Sequence, residues 1–244
     1  MANPLLKDSV FEKSSQVQTA TVFSPQQTMT ISGTVNKSII LLVLLLVSAF
    51  FTWTHIQFAQ AAVFPALIIA FVLAMVCCFK QNISPVCAPI YAVCEGVVLG
   101  YISNLFDAAY KGIVADAVFL TIVVLLCMLA AYRAGILRAT PTFKKVVILS
   151  TLGIAVFYLV SMIISFFGVS IGYFDMGNSS GASFLINLVI VVIAALNFVL
   201  DFDMIEQGAR YGSPKYMEWY CAFALMITLV WLYIEILRLL ARRK

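Results

Sequence analysis

The sequence predicts an all-α integral membrane protein, a bundle of seven transmembrane helices, and three observations predict it. Apolar residues make up 63% of the 244 and charged residues only 11%. A soluble domain carries about a quarter charged residues, so this chain has too few to coat a water-facing surface. The apolar residues also gather into seven runs near the roughly 20 residues that a helix needs to cross the hydrocarbon core. The connections between runs are short and hold most of the Lys and Arg.

The runs are about Ser38–Trp53, Ala61–Phe79, Ala88–Phe106, Val114–Tyr132, Val146–Phe167, Ser183–Leu200 and Trp219–Leu240. Residues 1–33 read as a disordered polar tail rich in Ser, Thr and Gln, without a cleavable signal pattern, and 34–244 as one seven-helix domain. The inner connection Arg133–Lys145 carries Pro141, and Gly172–Gly181 reads as a Gly- and Ser-rich loop.

The distribution of Lys and Arg sets the orientation. With the N-terminus in the cytoplasm, inner segments hold Lys7, Lys13, Lys37, Lys80, Arg133, Arg138, Lys144, Lys145, Arg210 and Lys215, and outer loops hold only Lys111. An odd number of spans then puts Arg242, Arg243 and Lys244 outside, against the trend. The last run is long enough to cross, so full crossing is favoured. The expectation is a multi-pass protein of the cell's inner (plasma) membrane with a cytoplasmic N-terminus, monomeric by default.

Ionisable groups inside apolar runs carry the functional information, since each costs roughly 2.5–3.5 kcal/mol at a helix centre. Glu95 lies in the third run, Asp201 and Asp203 end the sixth, and Glu235 is in the seventh. Asp201 and Asp203 point about 200° apart on a helix and cannot face one site unless it unwinds. Both also fit as interface residues solvated at the cytoplasmic boundary, and Glu95 also fits as a structural hydrogen bond between helices. Glu235, one turn before Arg238, reads as half of a local ion pair. Glu206 and Glu218 fall in the sixth-to-seventh loop. Gly96 and Gly100 form a GxxxG, which lets another helix approach closely beside Glu95.

What is missing narrows the chemistry. His55 is the sole histidine, so a His-based metal or haem site is excluded within one chain. The cysteines Cys77, Cys78, Cys87, Cys94, Cys127 and Cys221 lie in or beside apolar runs and read as small hydrophobes. No phosphate-cradling Gly-rich loop is present, no Ser–His pairing sits at membrane depth, and no basic patch is interleaved with aromatics. Enzyme, cofactor and nucleic-acid readings are therefore not expected. Hard oxygen ligands suit protons or Ca²⁺.

Three stretches carry a resemblance. They are Ala88–Pro89–Ile90–Tyr91 leading into Glu95–Gly96–Val97–Val98–Leu99–Gly100, then Leu200–Asp201–Phe202–Asp203–Met204–Ile205–Glu206–Gln207–Gly208, then Tyr216–Met217–Glu218–Trp219–Tyr220 followed by Trp231–Leu232–Tyr233–Ile234–Glu235–Ile236–Leu237–Arg238. Together they resemble the bacterial branch of the Bax inhibitor 1, or transmembrane Bax inhibitor motif, family, over roughly Thr34 to the C-terminus. The resemblance implies a central final helix and a pH-sensitive Ca²⁺ leak gated by two aspartates. The first of these falls on Asp203 and the second on Thr228, a departure for which Glu95 is the first candidate partner and Asp201 the second. Two functions stay open: a Ca²⁺ or proton-coupled cation channel or exchanger, and a modulator that binds another membrane complex such as a membrane protease.

Overall fold

The computed structural model describes residues 28–167 and 181–243. Seven helices span them: α1 Ile31–Thr54, α2 Ile56–Phe79, α3 Ser84–Ala109 after a 3₁₀ turn at Gln81–Ile83, α4 Ile113–Arg133, α5 Pro141–Phe166, α6 Gly181–Arg210 and α7 Met217–Arg243. All seven are long and apolar enough to cross a membrane. The chain is thus an all-α, seven-helix membrane protein. Most of the predicted tail and of the Gly- and Ser-rich loop lies outside the described residues.

Two helix ends depart furthest from the expected boundaries. α1 begins at Ile31 rather than Ser38, inside the stretch assigned to the tail. Its first turns are polar but self-satisfied: Thr30 Oγ1 accepts from Gly33 N at 3.0 Å, and the Thr34 and Ser38 hydroxyls donate to carbonyls one turn back, each at 3.0 Å. α6 runs ten residues past Leu200, to Arg210. Its extension is laced by pairs one turn apart, Gln207 to Asp203 at 2.7 Å and Arg210 to Glu206 at 2.6 Å. An apolar run marks where lipid ends, whereas the helix ends where the backbone turns.

The core is apolar as in a soluble protein, but so is the surface. Large apolar side chains point outward, Phe64 at 73% exposure among them, as lipid requires. Three helices are the most enclosed: 56% of the apolar window of α7 and 50% of those of α3 and α6 are buried, against 11% for α5. The length of α7, about 40 Å at about 1.5 Å per residue, suffices to cross. Of the cysteines, Cys77, Cys87 and Cys221 are buried and Cys127 is exposed on α4; all are free.

The chain divides into two compact units. One holds α4, α5, α6 as far as Leu200 and α7 from Thr228. Its buried residues include Ile190 and Ala194 of α6 and Leu232, Ile236 and Leu237 of α7. The other holds α1, α2, α3 and the stretch Asp201–Ile227. There Met204, Ile205, Met217, Tyr220, Cys221 and Ala224 cluster with Met29, and Tyr91 of α3 meets Phe223 edge-on at 5.0 Å between ring centres.

In that second unit α1 lies directly on α3. A Cβ added to Gly96 would stand 2.5 Å from the Leu45 carbonyl oxygen and 2.8 Å from Ser48 Cβ. One added to Gly100 would collide with the Ala49 carbonyl oxygen and reach Thr52 Cβ at 2.9 Å. Ser48 Oγ donates to Val93 O at 2.7 Å and Asn104 Nδ2 to Trp53 O at 3.3 Å, so polar contacts flank the glycine face. The GxxxG expected to seat a neighbouring helix seats α1.

Candidate ion pathway and buried acid centres

Asp201 and Asp203 do not end the sixth helix, as the apolar run suggested, but lie within it. The backbone is helical throughout, so the two carboxylates point to different sides, as their spacing requires. Asp201 is buried and Asp203 partly so. Asp203 accepts from Gln207 Nε2 at 2.7 Å, one turn on. Asn197, on the face of Asp201, donates to Thr151 Oγ1 of α5 at 2.9 Å. Glu95 of α3 is held by the Tyr91 hydroxyl, one turn back. The two acids expected to act as partners thus each engage a residue of their own helix. Asp203, Asp201, Glu95 and the Gly96–Gly100 face all belong to the same unit. Thr228, the position that the resemblance gives to the second aspartate, is a buried residue of α7.

The same unit holds a second centre, which local sequence spacing does not reveal. Glu218 reads as a loop residue but sits in the first turn of α7 with a side chain 0% exposed. It accepts from Thr30 N and Thr30 Oγ1, both at 2.9 Å, and pairs with Lys37 of α1 and with Lys215 Nζ at 2.9 Å. Lys37 also lies over the Trp219 ring, 5.6 Å from its centre. Gly33 is where α1 passes this carboxylate, and a Cβ there would overlap it. Met29 N donates to Ser213 O at 2.7 Å, and Ser84 Oγ to Tyr216 O at 3.1 Å. The start of α1, the start of α3 and the α6–α7 turn are therefore fastened at one end. The only sequence signal was a Glu flanked by Lys215 and an apolar run; its partners in residues 30–37 are about 180 positions away.

The other unit holds a third centre. Glu235 of α7 is 1% exposed. Arg238 Nη1 meets its Oε1 at 3.1 Å, the local ion pair expected from the spacing. Two further donors come from other helices: Tyr158 of α5 donates its hydroxyl to Oε1 at 2.7 Å, and Asn187 of α6 donates Nδ2 to Oε2 at 3.1 Å. A charge out of water needs such compensation. Neither donor could be assigned from sequence, since a Tyr and an Asn in apolar runs have no spacing that names a partner on α7.

The family model described as Bax inhibitor 1 like matches residues 3–244 of the chain. The match is to the family as a whole and does not separate its branches. No curated protein and no solved structure matches the chain.

Proposed function

The chain belongs to the Bax inhibitor 1 like family, and from that premise we propose that it is a pH-sensitive leak channel or exchanger for Ca²⁺ or a similar cation rather than an enzyme. One observation carries the reading: Asp203, in the Phe202–Asp203 pattern, lies within an unbroken helix, three residues past the end of its apolar run, in the same unit as Asp201 and Glu95. Acids in or beside membrane-spanning helices mark ion or proton paths, because placing a charge there is costly and is kept where it serves a function. Asp203 is the gating carboxyl, with Glu95 as its partner in place of the aspartate that Thr228 replaces. Protonation changes the charge at the gate and biases the bundle between two packings.

Purified protein in liposomes, with Ca²⁺ flux followed across a pH series, tests this. Flux is expected, and its rate should change with pH. Asp203→Asn preserves shape and the Gln207 contact but removes the titration, so its flux should be flat with pH. An Asp203→Asn profile that tracks the parent's moves the gate elsewhere. Absence of flux in both proteins at every pH favours the other reading, a modulator bound to another membrane complex.

The same reading places the protein in the inner (plasma) membrane with its N-terminus and the α4–α5 turn in the cytoplasm. Support comes from the fastened end of the second unit, which gathers Lys37 and Lys215. On a cysteine-free background, Lys111→Cys should react with an impermeant thiol reagent in intact cells and Ala134→Cys only after lysis. The reverse pattern inverts the topology.

A further inference from the structure

The Glu235 centre contains more than an ion pair. Asn187 is fully buried, and while its Nδ2 serves Glu235, its Oδ1 has no hydrogen-bond partner among the described residues. A buried acceptor without a donor is costly and calls for an explanation. Ser161 Oγ, one turn beyond Tyr158 on α5, is likewise buried without a partner among the described residues. Ser165 follows one turn further and donates to Ser161 O at 2.9 Å. On α6, Ser183 lies one turn before Asn187. Hydroxyls therefore continue from the centre toward the end of α5 and the start of α6.

The two members of the ion pair are also unequal. Glu235 is sealed in, whereas the Arg238 side chain is 30% exposed and rests over the Tyr158 ring at 5.6 Å. The titratable and charged groups facing Glu235 are Tyr158 from α5 and Arg238 and Arg242 from its own helix; α6 presents the neutral Asn187, and the Trp231 indole is a further donor. In the charged state Tyr158, Asn187 Nδ2 and Arg238 all donate to the carboxylate. A turn of the Asn187 amide would set Oδ1 against Oε2 instead, and only the protonated acid, with a hydrogen to donate, satisfies it there. Both protonation states thus have a hydrogen-bonded arrangement with the same residues.

We propose that Glu235, with Asn187 and Tyr158, is a proton-binding site, filled from the C-terminal end of α7 along the serine hydroxyls. Loading forms an O–H bond at Oε2 as a hydronium ion from the bulk breaks one of its O–H bonds, gives up the proton and leaves as water. The Arg238 contact breaks, and the guanidinium moves toward the helix end, where water and lipid headgroups receive its charge. The site lies in a different unit from Asp203 and does not depend on the leak reading.

Infrared difference spectra of the purified full-length protein, titrated with acid, test the site without measuring transport. A protonated-carboxyl carbonyl band, shifted in D₂O, should grow as pH falls, persist in Asp203→Asn and be absent from Glu235→Gln. Tyr158→Phe removes a donor that favours the charged form, so the band's midpoint should rise by about one pH unit. Serine substitution is not needed for the decision. An identical band in Glu235→Gln, or no acid band that any Glu235 variant alters, overturns the proposal and leaves a permanent ion pair. Should Glu235→Gln not fold, an unshifted midpoint in Tyr158→Phe overturns it equally. A protein that shows the band but no ion flux keeps this site and loses the leak.

Discussion

Gly100→Leu should largely prevent α1 from seating on α3, and the folded protein should be recovered poorly if at all. The reason is the identity of the atoms in the way. Even a methyl group at this position meets the Ala49 carbonyl oxygen, and Ala49 Cα lies 3.0 Å off. These are backbone atoms of a helix, which cannot rotate aside as a side chain does. Overpacking typically costs 1–3 kcal/mol, so Gly100→Ala should fall at about that level and Gly100→Leu above it. Gly153 of α5 provides the control, since a Cβ there meets nothing within 4 Å. Gly153→Ala should leave thermal stability in detergent unchanged or slightly raised, because alanine is the better helix former. Parental stability in Gly100→Leu would show that α1 is held on α3 by something other than the glycine face.

The second large effect is expected at Glu218. Glu218→Gln keeps the shape but leaves Lys37, whose side chain is 17% exposed, without its counter-charge. Removing one partner of a buried pair costs 3–5 kcal/mol. Lys215 is 49% exposed and can turn to water, so the loss should sit near the low end, about 3 kcal/mol. The pairing predicts non-additivity: Lys37→Met combined with Glu218→Gln should cost clearly less than the two single changes summed. Thermal melts of the four proteins give the cycle, and strict additivity would mean that Lys37 and Glu218 do not stabilise one another. The fastening matters because Thr30, Lys37 and Glu218 join α1 and α7, the first and last of the described helices, at one end.

Composition and run length determined the membrane class, the number of helices and the approximate centre of each. Those features follow from a single local balance, the transfer of backbone and side chains from water to lipid, which every stretch of about 20 residues meets or fails by itself. Local spacing likewise disclosed the Glu235–Arg238 pair and the glycine face, because helical periodicity relates residues three and four apart without reference to the rest of the chain. Helix ends were less legible. The polar start of α1 and the charged end of α6 are helical because side chains satisfy one another a turn away or pair across the fold, and hydropathy does not register this.

Only the tertiary structure decided which polar groups meet over long separations. Glu218 reads as a loop residue in the sequence, yet Thr30 and Lys37 surround it, and Tyr158 and Asn187 carry no sequence mark of their contacts with Glu235. The physical reason is that a hydrogen bond or ion pair depends on where two helices cross. That crossing is set by packing, as where Gly96 and Gly100 seat α3 against the α1 backbone, and not by any property of the paired residues themselves.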